Sequence, residues 1–277
     1  MKKYIYLSAA VVVGVLGSVA NAETVFDATT TNTTVFDNAV NSTGTLELTG
    51  GTPDLLLANS NGNFNQGGIA STDDINTLNG TALVATDVVT LTAVVDSVAN
   101  TGSSELRSRG IEFGLAAAPA HIGTLPSNNL VLQIGGAANV TMDNVLGVMR
   151  LQNSFGTITS PVSRVAEESV LNGFEVTLVA DANGFNFSFT GLDVFGTTNP
   201  VADVSGTFLP GEFVANFGTG HYYAAAQKRN FDEFNPGTTT LDFSTARIEV
   251  TSVAVPEPTC LALLGLASIG MVSRRRR

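Results

Sequence analysis

Phe174-Glu-Val-Thr-Leu-Val-Ala-Asp-Ala-Asn-Gly-Phe-Asn-Phe-Ser-Phe-Thr190 decides the fold. Large apolar residues recur at every second position on both sides of Asn183-Gly184, the period of a strand with one buried and one wet face. Asn-Gly favours a two-residue type I′ turn, whose central residues both take positive φ. That turn pairs Ala182 with Phe185, Ala180 with Phe187 and Leu178 with Phe189 on one face. The opposite face then pairs Asp181 with Asn186, Val179 with Ser188 and Thr177 with Thr190. Aromatic rings meet small or medium partners on the dry side and polar residues meet on the other. This is the pattern of an antiparallel sheet packed on one face only.

The same short-strand pattern extends in both directions. Strands are predicted near Thr45–Leu48, Val88–Val95, Gly110–Leu115, Leu130–Ile134, Val145–Leu151, Asp203–Leu209, Glu212–Phe217, Tyr222–Ala226 and Ala246–Val253. Turn residues separate them, and Thr, Val, Phe, Gly and Asn dominate throughout. Helical periodicity is scarce: Arg164–Leu171 has room for two turns at most. Asn59–Gly68 reads as an exposed Asn/Gly loop. Val-Phe-Asp occurs twice, at Val25–Asp27 and Val35–Asp37, and Ala28–Thr45, rich in Thr and Asn, reads as a mobile lead-in or an edge strand with a polar face. The expected fold is all-β, an antiparallel two-sheet sandwich of jelly-roll type spanning Glu23–Val255 as one domain.

Both ends of the chain read as addresses, not as fold. Lys2 and Lys3, an apolar run from Ile5 to Val19 and the small-x-small site Ala20-Asn21-Ala22 form an export signal, residues 1–22, with cleavage before Glu23. At the other end Pro256-Glu257-Pro258 makes a rigid extended break. An uncharged apolar run, Thr259–Val272, and the block Arg274, Arg275, Arg276 and Arg277 follow it. Fourteen helical residues rise about 21 Å, short of a hydrocarbon core of about 30 Å, so the run suits a transient span more than a permanent anchor. The four arginines fix its orientation by the positive-inside bias and leave the body outside the cytoplasm.

Composition narrows the chemistry of the body. Six of the 13 Lys and Arg residues lie in the two ends, as does one of the 24 Asp and Glu residues, so Glu23–Val255 carries seven basic and 23 acidic groups and a formal charge of −16. Such a surface repels phosphate backbones, and no nucleic-acid partner is expected. The single cysteine, Cys260, lies in the tail, which removes disulfides, thiolate zinc sites and a cysteine nucleophile from the body. Gly-x-Ser-x-Gly, His-Glu-x-x-His, P-loop and dinucleotide patterns are absent. The two histidines, His121 and His221, read as structural. Glu167-Glu168 and Asp232-Glu233 are adjacent pairs, which a strand points to opposite faces, so neither makes the facing carboxylates of a glycosidase. No catalytic or cofactor-binding residue is assigned. Calcium through loop carboxylates stays open, because Asp181-Ala-Asn183-Gly resembles the start of a calcium loop but is equally explained by the turn. Tyr222, Tyr223, Phe231 and Phe234, beside His221 and Lys228, are the candidate aromatic platform for a sugar.

Two resemblances rest on these residues. The tail, Pro256-Glu257-Pro258 with the apolar run and arginines, resembles the PEP-CTERM sorting signal of exported proteins in Gram-negative bacteria that make extracellular polysaccharide. The resemblance implies recognition of Pro256–Pro258 by an exosortase-type membrane protease, after signal peptidase has acted at the other end. It also implies transient anchoring in the inner membrane, then delivery to the cell surface or outside the cell. The Phe174–Thr190 hairpin and the closing Leu241-Asp-Phe-Ser-Thr-Ala-Arg-Ile-Glu-Val250 resemble the second half of a concanavalin A-like or laminin G-like jelly roll, a fold of lectins and adhesion modules. The joint expectation is a non-enzymatic surface or matrix protein associated with exopolysaccharide in a biofilm, with lectin-like affinity. The alternatives are a secreted polysaccharide-modifying enzyme on the same fold and a passive carrier of its sorting tail.

Overall fold

The computed structural model describes residues 21–28, 33–37, 43–49, 52–58, 65–100, 109–120, 129–135, 146–153, 155–159, 164–166, 173–192, 198–228 and 238–252. The chain divides into two compact units: Ala22–Ser252, and the terminal segments Met1–Asn21 with Val253–Arg277. The first is a sandwich of two antiparallel sheets. One sheet runs β10 (Thr157–Ile158), β14 (Thr198–Thr207), β13 (Gly184–Leu192), β12 (Phe174–Asp181), β6 (Val88–Asn100), β16 (Thr238–Ser252), β4 (Thr52–Ala58) and β3 (Thr43–Thr49), with β1 (Asn21–Asp27) also on β16. The other runs β11 (Arg164–Ala166), β9 (Leu146–Asn153), β8 (Leu130–Gly135), β7 (Arg109–Ala116), β15 (His221–Lys228), β5 (Asn65–Ser71) and β2 (Thr33–Asp37).

Alternation places the core. Phe174, Val176, Leu178 and Ala180 of β12 are buried, and so are Phe185, Phe187 and Phe189 of β13, while the intervening residues reach solvent. Val89, Leu91, Ala93 and Val95 of β6 continue the layer, as do Phe243, Ala246, Ile248 and Val250 of β16. Phe113 and Leu115 of β7, Leu130 and Leu132 of β8, and Tyr222 of β15 meet them from the facing sheet. Burying a Phe, Leu or Ile side chain contributes about 1.5 to 3 kcal/mol, so this shared layer is the main source of stability.

The hairpin keeps the predicted face and changes the predicted register. Asp181 pairs with Gly184, Ala180 with Phe185, Leu178 with Phe187 and Val176 with Phe189, so the two-residue turn is Ala182-Asn183. A slip of two positions preserves which residues point inward, which is why the buried set survives. Two local facts select the observed turn. Oδ1 of Asp181 accepts from the backbone N–H groups of Asn183 (2.7 Å) and Gly184 (3.2 Å), an Asx-type turn. Gly184 is also needed inside the strand, because a Cβ there would collide with the Gly206 carbonyl of β14.

Several other expectations are corrected. Glu212–Phe217 is a helix, α2, not a strand. Its buried residues, Phe213 and Phe217, are four apart, the spacing of one helical face, with ring centroids 5.3 Å apart. The Glu212 carboxylate accepts from the Leu209 N–H at 2.7 Å and braces the turn before the helix. Residues 65–68, expected as loop, begin β5, where Gly68, Ile69 and Ala70 are buried between β15 and β2. Arg164–Ala166, in the stretch with room for two helical turns at most, is the edge strand β11, paired to β9. The Val-Phe-Asp copies form β1 and β2, and β2 is an edge strand. A short helix, α1 (Ile75–Asn79), was not foreseen; Asp74 caps it, accepting from the Thr77 N–H at 2.7 Å.

Candidate functional site

Strand alternation splits the two adjacent tyrosines of β15 between opposite faces of their sheet. Tyr222 enters the core between Phe26 and Phe113, with ring centroids 5.1 and 5.8 Å away. Its hydroxyl crosses to the other sheet and donates to the Thr92 carbonyl at 3.1 Å. Burial, with the Asp27 carboxylate as the lesser cause, raises its phenol well above the ordinary value of 10. Tyr223 points outward from the sandwich and is nonetheless buried. Its hydroxyl donates to Oε2 of Glu112 at 3.1 Å, and Glu112 is only 1% exposed. An aromatic platform containing both tyrosines is therefore corrected: neighbouring residues on a strand cannot share a face. Phe231 and Phe234, the other members, lie outside the described residues.

Around Tyr223 and Glu112 the outer face of the seven-stranded sheet holds Ala70, Ala116, Val131 and Ala225, all buried. Gly114 stands opposite Tyr223, and a Cβ there would collide with the Leu130 carbonyl, so β7 and β8 approach only through a glycine. The register sets Glu112 opposite Gln133, and Gln133 opposite Arg150. Sequence reasoning passed over Glu112, although one signal was present: a single acid inside the apolar strand Ile111-Glu-Phe-Gly-Leu115.

A second polar group sits at the start of β15. Nδ1 of His221 lies 2.9 Å from the Ser71 carbonyl, which can only accept, so Nδ1 carries the proton. The Ser71 hydroxyl donates to the Asp73 carbonyl at 2.8 Å and accepts from the Tyr222 N–H at 3.0 Å. Serine and histidine here tie backbone together; they do not form a nucleophile and its base. His121 lies outside the described residues.

The remaining sequence-predicted residues separate clearly. Ala22 and Glu23 are exposed on β1, whereas Ala20, Pro256, Glu257, Pro258 and Arg274, Arg275, Arg276 and Arg277 lie outside the described residues. So do Glu167-Glu168 and Asp232-Glu233. Among the described residues no group of three or more His, Cys, Asp or Glu side chains could hold a metal ion. Asp181 spends both carboxylate oxygens on its own turn, Oδ2 meeting the Asn183 side-chain amide at 3.3 Å. Among the described residues no helix is long and apolar enough to cross a membrane.

Residues 254–277 match the PEP-CTERM protein-sorting motif. Such a motif marks an exported protein and implies processing by an exosortase. No curated protein matches the chain by sequence. Solved structures similar in fold include arcelin-5, a lectin-like defense protein from Phaseolus vulgaris, at 11% identity and TM-score 0.47, covering 84% of this chain and 97% of that one. The metal-free exoplasmic/lumenal domain of VIP36 is similar at 12% identity and TM-score 0.44, covering 78% and 86%. Lectin I from Ulex europaeus, in complex with the methyl glycoside of α-L-fucose, is similar at 11% identity and TM-score 0.45, covering 80% and 99%.

Proposed function

We propose that this protein is exported, trimmed at both ends and delivered to the cell surface or extracellular matrix. There its β-sandwich serves as a non-enzymatic, lectin-like component associated with exopolysaccharide. The observation that carries this reading is the sorting motif at 254–277, which begins two residues after β16 closes the sandwich. On this reading signal peptidase cuts before Glu23, the run 259–272 spans the inner membrane transiently, and an exosortase-type protease acts at Pro256–Pro258. The formal charge of −16 on the body fits a neutral or cationic polymer better than an anionic one. Calcium held by loop carboxylates remains compatible with a lectin role, with no ligand residue assigned.

The test replaces Pro256, Glu257 and Pro258 with alanine and follows the protein by fractionation. Loss of matrix association is the expected result, and unchanged localisation contradicts the reading. In parallel, the purified domain Glu23–Val255 is expected to be retained on the organism's own exopolysaccharide without shortening it. Shortened chains would instead favour the polysaccharide-modifying alternative.

A further inference from the structure

The first strand of the sandwich contains the cleavage site assigned to the export signal. β1 starts at Asn21, one residue before Ala22, and pairs with β16. β16 offers one edge to β6 along nearly its whole length, and the Thr238–Asp242 part of its other edge to β4. The Ala28 N–H donates to the Ala246 carbonyl at 2.9 Å. A β1 parallel to β16 would put its first residues beside the stretch that β4 already occupies. β1 therefore runs antiparallel, from beside the end of β16 back to Ala246. Docking also seats Phe26, fully buried, against Tyr222.

Resting on the reading of residues 1–22 as a removed signal, we infer that cleavage at Ala22–Glu23 precedes the docking of β1 on β16, and that the topology holds the site open until export is nearly complete. Cleavage adds water across the Ala22–Glu23 amide, leaving a carboxylate on Ala22 and a free amine on Glu23. A protease takes its substrate as an open, extended backbone, so a segment paired in a sheet is cut only in the fraction of time it opens. The side chains of Ala22 and Glu23 are exposed, but their backbone belongs to the strand. The partner strand is the last one before the tail. Ala28 and Ala246 are 218 residues apart (246 − 28), so β1 has no edge to pair with until the entire domain has crossed the membrane. Closing so long a loop also makes this contact a late one.

The experiment uses the full 277-residue precursor in detergent micelles with purified signal peptidase. Precursor diluted from denaturant straight into the enzyme should be cut before Glu23 at once, while fully refolded precursor should be cut slower by a factor of about 100. Phe26→Ala, which loosens β1, should restore much of the rate, with amide protection at Leu178 and Phe187 retained as the check that the sandwich is folded. Should that variant fail to fold, hydrogen exchange on the wild-type precursor decides: protected amides at Val25–Asp27 support the inference and freely exchanging ones overturn it. Equal cutting of refolded and freshly diluted precursor overturns the ordering alone. Failure to cut freshly diluted precursor at Ala22 overturns the signal reading and the inference with it.

Discussion

The outer faces of the two sheets are built from the same strand alternation and meet different surroundings. On the nine-stranded sheet, Glu175, Thr177 and Val179 of β12 and Asn186, Ser188 and Thr190 of β13 reach solvent. There Arg247 and Glu249 of β16 form an ion pair at 3.5 Å with both side chains partly exposed. On the seven-stranded sheet the corresponding positions, Ala70, Glu112, Ala116, Val131, Tyr223 and Ala225, are buried. A polar residue that reaches water costs little on the first face, where Thr92 is buried all the same. On the second it must be satisfied, and Glu112 is satisfied by the Tyr223 hydroxyl among its partners. Polarity is therefore more telling on the second face, and that contrast singles out Glu112 and Tyr223.

The largest expected effect comes from placing a cation on each face. Glu112→Lys should cost about 3 to 5 kcal/mol in urea unfolding, since it breaks a buried pair and buries a charge in its place. Glu175→Lys should stay within about 0.5 kcal/mol. Equal costs would erase the distinction between the faces. A gentler pair of variants sharpens it: Tyr223→Phe should lose about 1 to 2 kcal/mol, and Ser188→Ala should be near neutral. Arg247→Ala should cost at most about 1 kcal/mol, and less at high salt, because its ion pair with Glu249 is partly exposed.

Alkaline titration compares the two tyrosines directly. Tyr4 and Tyr6 precede Glu23, so the segment Glu23–Val255 contains only Tyr222 and Tyr223. The folded state holds the Tyr222 phenol protonated well above 10, whereas the unfolded chain ionises it near 10. Its contribution to stability is thus complete below about pH 10 and declines as pH rises from there towards the raised folded value. Phenolate absorbance should show Tyr222 ionising together with unfolding, and Tyr222→Phe should remove that part of the alkaline instability. Ionisation of Tyr222 without loss of structure would contradict its placement in the core.

Much of the fold was legible because period-two patterns survive register errors. The β12–β13 hairpin shows the limit: Asn183-Gly184 specified a turn, yet Asp181 capping of the backbone and the close contact between Gly184 and Gly206 moved it by one residue and the pairing by two. Glu212–Phe217 was misread because two phenylalanines four apart also fit one face of a strand, and only their packing distinguishes the two. β5 hid behind its glycines, Gly67 and Gly68, which pair within the sheet with β15 and β2. Glu112 was passed over because its one local signal, an acid among apolar residues, does not say what surrounds it: its environment is made by β15 and β8, whose pairing is a matter of tertiary structure. The C-terminal tail was the most legible part, because a sorting motif is read as linear sequence and owes nothing to long-range packing.

The measurement that tests the account most directly is the intact mass of the protein recovered from the cell surface or medium. The account predicts a chain that begins at Glu23 and has lost the apolar run and arginines that follow Pro256–Pro258. A full-length chain, recovered only with the inner membrane, would contradict it.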